Sequence, residues 1–285
     1  MTPDPRFQNQ PRSFWANVRT LSQHLGYTLH GAGQIKVPTI RQMRGALAGL
    51  GLNPESVGTD MQPTGLGASL RAYFQHRASV LQDFVRPHLM DAPEAKALFE
   101  KMLAELEPTC PIPMNKQKGD KRAPAFLTGI VNMLIEQNAE GMDCNYNPLE
   151  LTTVTHNGVP LRTLARRVDG AFPGTVNPIA VWEIKEYYYT TTFGSRVADG
   201  VYETLLDGME LEELREHEGI DVKHYLIIDS HYTWWECGRS YLCRIVDMLH
   251  MGYVDEVLFG KEVADRLPAI VQQWVAAQQA RAQAT

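Results

Sequence analysis

The stretch Arg166–Lys185 constrains the chain most. Pro173–Pro178 (PGTVNP) supplies the Pro, Gly and Asn that tight turns require. The runs on either side are apolar enough for strands, so the stretch predicts a β-hairpin. Side chains alternate along a strand. Glu183 and Lys185 therefore share one face of the second strand, with Trp182 and Ile184 on the other. The first strand can bring Asp169 to the same edge. Two carboxylates and a lysine at one point suit a hard divalent cation beside a phosphodiester.

The 285 residues suffice for one large domain or two ordinary ones. No apolar run approaches the roughly 18 residues of a membrane span, and the first residues lack the apolar centre of a secretory signal. Cys110, Cys144, Cys237 and Cys243 are scattered without a CxxC pair, which predicts reduced thiols and a cytoplasmic location. The net charge of −6 hides an asymmetry: +4 over residues 1–168 and −10 over 169–285. Local basic surface, not whole-chain charge, governs phosphate contact.

Residues 1–11 read as a flexible arm. Phe14, Val18, Leu21 and Leu25 have helical spacing. Residues 26–37 can form a short hairpin, and Thr39 caps a helix ending near Gly51. With Arg41 and Arg44 on that helix, residues 1–110 read as a mainly helical domain, either DNA-reading or purely structural. Helices are predicted over 70–86 and 93–106, the latter capped by Asp91. Residues 111–122 form a basic linker. There Lys116, Lys118, Lys121 and Arg122 either track a phosphate backbone or are simply solvated.

From residue 123 helix and strand alternate. Helices are expected over 126–137, 196–218, 240–251 and 263–279, the last fraying at its end. Strands are expected over 151–155, 161–172, 180–189, 224–229 and 254–259. His231, Cys237, Cys243 and His250 lack the spacings of a zinc finger or ribbon.

The order helix, antiparallel strands bearing Asp169 and Glu183-Ile184-Lys185, helix, strand resembles the PD-(D/E)XK nuclease superfamily, and within it type II restriction endonucleases. The resemblance covers roughly residues 123–260 of the 123–285 unit; Val168 stands where the family pattern has proline. It implies an α/β fold, a restriction-endonuclease-like mixed sheet flanked by helices, behind the helical N-terminal domain. It also implies Mg²⁺, replaceable by Mn²⁺, held by Asp169, Glu183 and the Ile184 carbonyl. Lys185 would then sit beside the attacking water. Glu136, on the preceding helix, stands where many members place another metal-holding acid. The implied substrate is double-stranded DNA, cut at a specific sequence to a 5′-phosphate and a 3′-hydroxyl. A homodimer matches a palindromic target, with a cognate DNA methyltransferase as companion.

Arg167 is read as a phosphate clamp. Tyr187, Thr191, Ser195 and Arg196 leave the second strand of the hairpin with hydroxyls and charge suited to phosphate and base-edge contact; a packing role for the tyrosines is equally compatible. Asp199 and Glu203 share a helix face, as a further metal-site carboxylate or as ordinary solvent-facing charge. Two other readings remain open: another DNA-processing or defence nuclease of the same fold, or a binding module whose acidic pair is incidental.

Overall fold

A computed structural model describes residues 1–29, 33–115, 122–190 and 194–284. The N-terminal part is built from α1 (Arg12–Leu25), α2 (Ile40–Gly49) and α3 (Gly65–Ser79). Phe14, Trp15, Val18, Met43, Leu70 and Phe74 form their shared core. Thr39 and Gln42 make a reciprocal capping box at the start of α2, and α2 ends before Gly51, whose φ of 71° suits a residue without Cβ. The first residues are not a loose arm. Phe7 is buried against Tyr73 with ring centroids 5.2 Å apart, and the Asp4 N–H donates to His250. The Met1 ammonium also donates to the Val257 carbonyl at 2.7 Å and to Glu262 at 2.6 Å, so apolar and polar contacts together fix a segment that reads as a flexible arm.

A wider helical turn, Val80–Val85, leads into α4 (Arg86–His88). Then α5 (Ala92–Leu106) starts on an Asp91–Glu94 capping box. It packs beside α6 (Phe126–Asn138) in the core that also holds the sheet. Between them the flanks of the linker pair, Asn115 N–H with the Ala123 carbonyl and Ala125 N–H with that of Pro113.

Two sheets follow. One is the antiparallel ribbon β1 (Thr153–His156) and β2 (Val159–Thr163), turning at Asn157-Gly158 with both φ positive. The other is mixed, in the order β3 (Gly170–Phe172), β4 (Ala180–Glu186), β5 (Lys223–Asp229), β6 (Glu256–Phe259). Here β3 runs antiparallel to β4, while β4, β5 and β6 are parallel. The parallel connections are made by α7 (Ser195–Glu218) and α8 (Arg239–His250), and α9 (Glu262–Ala284) closes the described chain.

The expected strand over 161–172 is two strands. Residues 159–163 pair with β1 and residues 170–172 with β4, so the chain must turn over Leu164–Asp169. Helices cover both faces of the mixed sheet. Phe172, Trp182, Tyr225 and Leu258 meet α6 and α9, and Trp182 stacks on Trp274 at 5.4 Å and 11°. The opposite face, through Leu226, Ile228, Val257 and Phe259, meets α7 and α8. Among the described residues no helix is long and apolar enough to cross a membrane.

Candidate active site

Strand alternation decides which side of β4 carries the chemistry. Trp182 and Ile184 point into the α6/α9 layer, so Glu183 and Lys185 face α7, where Glu183 is fully buried and Lys185 nearly so. Gly200 lets α7 come this close: a Cβ there would sit 3.2 Å from Lys185 Cδ and from the Tyr187 hydroxyl. Directly before the neighbouring strand β3, the Asp169 N–H donates to the Trp182 carbonyl. Asp169 Oδ2 accepts from the Ile184 N–H at 2.8 Å. The hairpin therefore brings Asp169, Glu183 and Lys185 to one edge, with Asp169 on the solvent side.

Lys185 Nζ donates to Glu183 Oε2 at 2.6 Å. Arg166 forks onto the same carboxylate, Nη1 to Oε1 at 2.8 Å and Nη2 to Oε2 at 3.2 Å. Nη1 also donates to Asp207 Oδ2 at 2.6 Å. Glu203 completes the ring, 3.4 Å from Arg166 and 3.6 Å from Lys185. Arg166 and Asp207 are additions to the predicted set. Asp207 had a readable signal, since Asp199, Glu203 and Asp207 recur every four residues along α7.

Burial alone would push the Glu183 carboxyl up, but Lys185 and Arg166 outweigh it and hold the group below its ordinary range. Burial likewise works against the Lys185 charge, and Glu183 and Asp169 overcome it, so the ammonium is held more firmly. Asp169 moves the other way: surrounding protein and then Glu183 raise it. Burial, followed by Glu183, pushes Asp207 up to about 7.

The donor set bears on a cation. When all are ionised, Asp169, Glu183, Glu203 and Asp207 outweigh Arg166 and Lys185 by two negative charges. Asp207 Oδ1 is buried without a hydrogen-bond partner. Among the described residues no three acidic, His or Cys side chains already form a metal cage. The residues fit a hard ion held by Asp169 and Glu183 and otherwise by water, the way Mg²⁺ is commonly bound.

Glu136 stands apart from this cluster. Its helix α6 lies on the Trp182 side of the sheet, and its carboxylate accepts from the Thr109 backbone at 3.0 Å and from the Thr109 hydroxyl. Ile184 contributes its N–H, to Asp169. Arg167 and Arg122 are exposed, and Ser195 opens α7, also exposed. Tyr187 packs near Trp234 at 5.8 Å between centroids. Arg41 pairs with Asp60 at 2.6 Å and Arg44 with Glu55 at 2.8 Å, both within the N-terminal helical part. Arg196 lies in the first turn of α7. Lys116, Lys118, Lys121 and Thr191 lie outside the described residues.

A family model described as a domain of unknown function (DUF7687) matches residues 90–274, and a second (DUF7690) matches residues 1–84. No curated protein and no solved structure matches the chain.

Proposed function

The chain belongs to the family described as a domain of unknown function (DUF7687), and from its site we propose a Mg²⁺-dependent endonuclease that hydrolyses phosphodiester bonds in double-stranded DNA. One observation carries the reading: Asp169, directly before β3, comes together with the Glu183–Lys185 pair of the antiparallel neighbour β4. The mixed sheet with α7 crossing between β4 and β5 supports a restriction-endonuclease-like fold.

Asp169 and Glu183 would hold the ion. When bound, it polarises the scissile phosphate and makes a bound water more acidic. Lys185 is held protonated by its carboxylate neighbours, so it is a donor and not a base. Its Nζ orients the attacking water and stabilises the negative charge that builds on the phosphoryl oxygens. Water attacks phosphorus as the P–O3′ bond breaks; the proton lost by the water passes to solvent and the leaving 3′-oxygen takes one from solvent, giving a 5′-phosphate and a 3′-hydroxyl. Cleavage at a specific sequence by a homodimer, beside a methyltransferase protecting the same sequence, is the finer form of the proposal.

Mixed genomic DNA incubated with Mg²⁺ and sequenced at its ends tests this. We expect recurrent ends at one short motif, abolished by EDTA. Lys185→Ala should lower the cleavage rate by about 10²–10³, the scale for losing one donor to a developing negative charge. Intact DNA under all divalent cations, or undiminished cutting by Lys185→Ala, would overturn the reading.

A further inference from the structure

Arg166 sits where a cation would have to go. Its two terminal nitrogens take both oxygens of Glu183, at 2.8 and 3.2 Å, and Lys185 already donates to one of them. A carboxylate offers about four lone-pair directions; three are used. A divalent ion on Glu183 would lie against a guanidinium at hydrogen-bond distance from the same atoms, and the two positive charges repel.

Arg166 has somewhere else to stay. Its Nη1 is shared with Asp207 Oδ2 at 2.6 Å. That carboxylate, on α7, is fully buried, and its other oxygen is unpartnered. The backbone at Arg166 belongs to no strand, and it is fixed on both sides. The Ala165 N–H donates to Glu210 at 3.0 Å, and Val168 is buried. Arg166 itself is partly open, with about a quarter of its side chain (23%) exposed. A long side chain with a fixed root and a buried anchor can release one partner and keep the other.

We propose that Arg166 is a catalytic residue with two states. In the free protein it neutralises Glu183 in place of a metal. Once Glu183 turns to a divalent cation, Arg166 stays on Asp207 and presents its released nitrogen to a non-bridging oxygen of the scissile phosphate. Guanidinium geometry suits this exchange because a carboxylate and a phosphate present the same two-oxygen face to the fork. The inference rests on the nuclease reading and adds a residue to it.

The test is calorimetric titration of Mn²⁺ into the protein without nucleic acid, alongside cleavage. Arg166→Gln should bind Mn²⁺ at least about tenfold more tightly, because the competing charge is gone. It should cut DNA about 10²–10³-fold more slowly, the scale for losing one preorganised donor to a developing oxyanion. A merely structural arginine predicts the opposite sign for the metal: its loss disorders the carboxylates and binding weakens. Arg166→Met, uncharged and of similar length, carries the same test if the Gln variant does not fold. Tighter Mn²⁺ binding with slowed cleavage supports the exchange; unchanged or weaker binding overturns it. Asp207→Asn, which removes the anchor, should weaken Mn²⁺ binding, and no change there also counts against the proposal. If wild-type protein binds Mn²⁺ and cuts DNA while Arg166→Gln binds no tighter, this inference alone fails. If wild type does neither, the nuclease reading fails with it.

Discussion

At the end of β5 the Asp229 carboxyl has no access to solvent. It accepts from the Met90 N–H at 2.8 Å, the Ser230 N–H at 2.7 Å and the Tyr188 hydroxyl. Burial, opposed by those hydrogen bonds, pushes it up to about 7. Below about pH 4 this group is protonated in folded and unfolded chains alike and does not disfavour folding. Between there and about 7 the unfolded chain has given up the proton while the fold retains it, so ionisation favours unfolding as pH rises. Asp229→Asn keeps a carbonyl acceptor for the backbone donors and removes the titration. Its stability relative to wild type should therefore improve from pH 5 to pH 8, by roughly 2–3 kcal/mol at about 1.4 kcal/mol per unit. Denaturant unfolding at the two pH values measures it, and an unchanged gap would refute it. Single residues also mark where sequence reading stops. Asp169, Glu183 and Lys185 were legible because hairpin chemistry and strand alternation are local. Arg166 reads only as one of an arginine run, because its role depends on α7 lying across β4, a contact between residues 41 positions apart. Glu136 lies on α6, on the Trp182 side of the sheet, and its carboxylate is taken by Thr109.

At the scale of elements, the hairpin's shape depends on a glycine. Gly170 pairs with Trp182 across β3 and β4, and a Cβ at Gly170 would lie 2.0 Å from the Trp182 indole. That ring cannot retreat, since Trp274 stacks on its far side. Gly170→Ala should therefore force β3 away from β4 and cost about 1–3 kcal/mol, as overpacking does. Asp169, one residue upstream, should lose its bond from Ile184, so cleavage should fall further than the stability loss explains. Gly174→Ala is the control: the turn leaves open space around it, and both readouts should stay near wild type. Equal effects of the two substitutions in unfolding and cleavage assays would remove the argument. The capped helices α2 and α5 and the long periodic runs of α6 and α7 were legible within a few residues. The break at Leu164–Asp169 was not, because one apolar run serves two sheets and the sequence does not mark where it changes partner.

Across the whole molecule, the helical part and the sheet part meet at a buried ion pair. Arg77 on α3 donates to both oxygens of Asp247 on α8, at 3.0 and 2.9 Å, and the Tyr73 hydroxyl donates to the same carboxylate at 2.6 Å. Arg77 is 1% exposed, so the charge has no water to turn to. The two family matches end and begin, at residues 84 and 90, beside this seam. Two ions taken out of water roughly offset their attraction with their desolvation, while one left alone is strongly unfavourable. Asp247→Asn keeps the shape and removes the counter-charge, so it should destabilise the chain by about 3–5 kcal/mol, the range for breaking a buried pair. Adding Arg77→Met to Asp247→Asn removes the stranded charge and leaves an amide oxygen to accept from the Tyr73 hydroxyl, so the double variant should recover most of that loss. Denaturant unfolding of the single and double variants gives the comparison. A loss below about 1 kcal/mol in Asp247→Asn, or a double variant no better than the single, would mean the two parts are held by the apolar contacts around Tyr73 and Phe7 instead of by the pair.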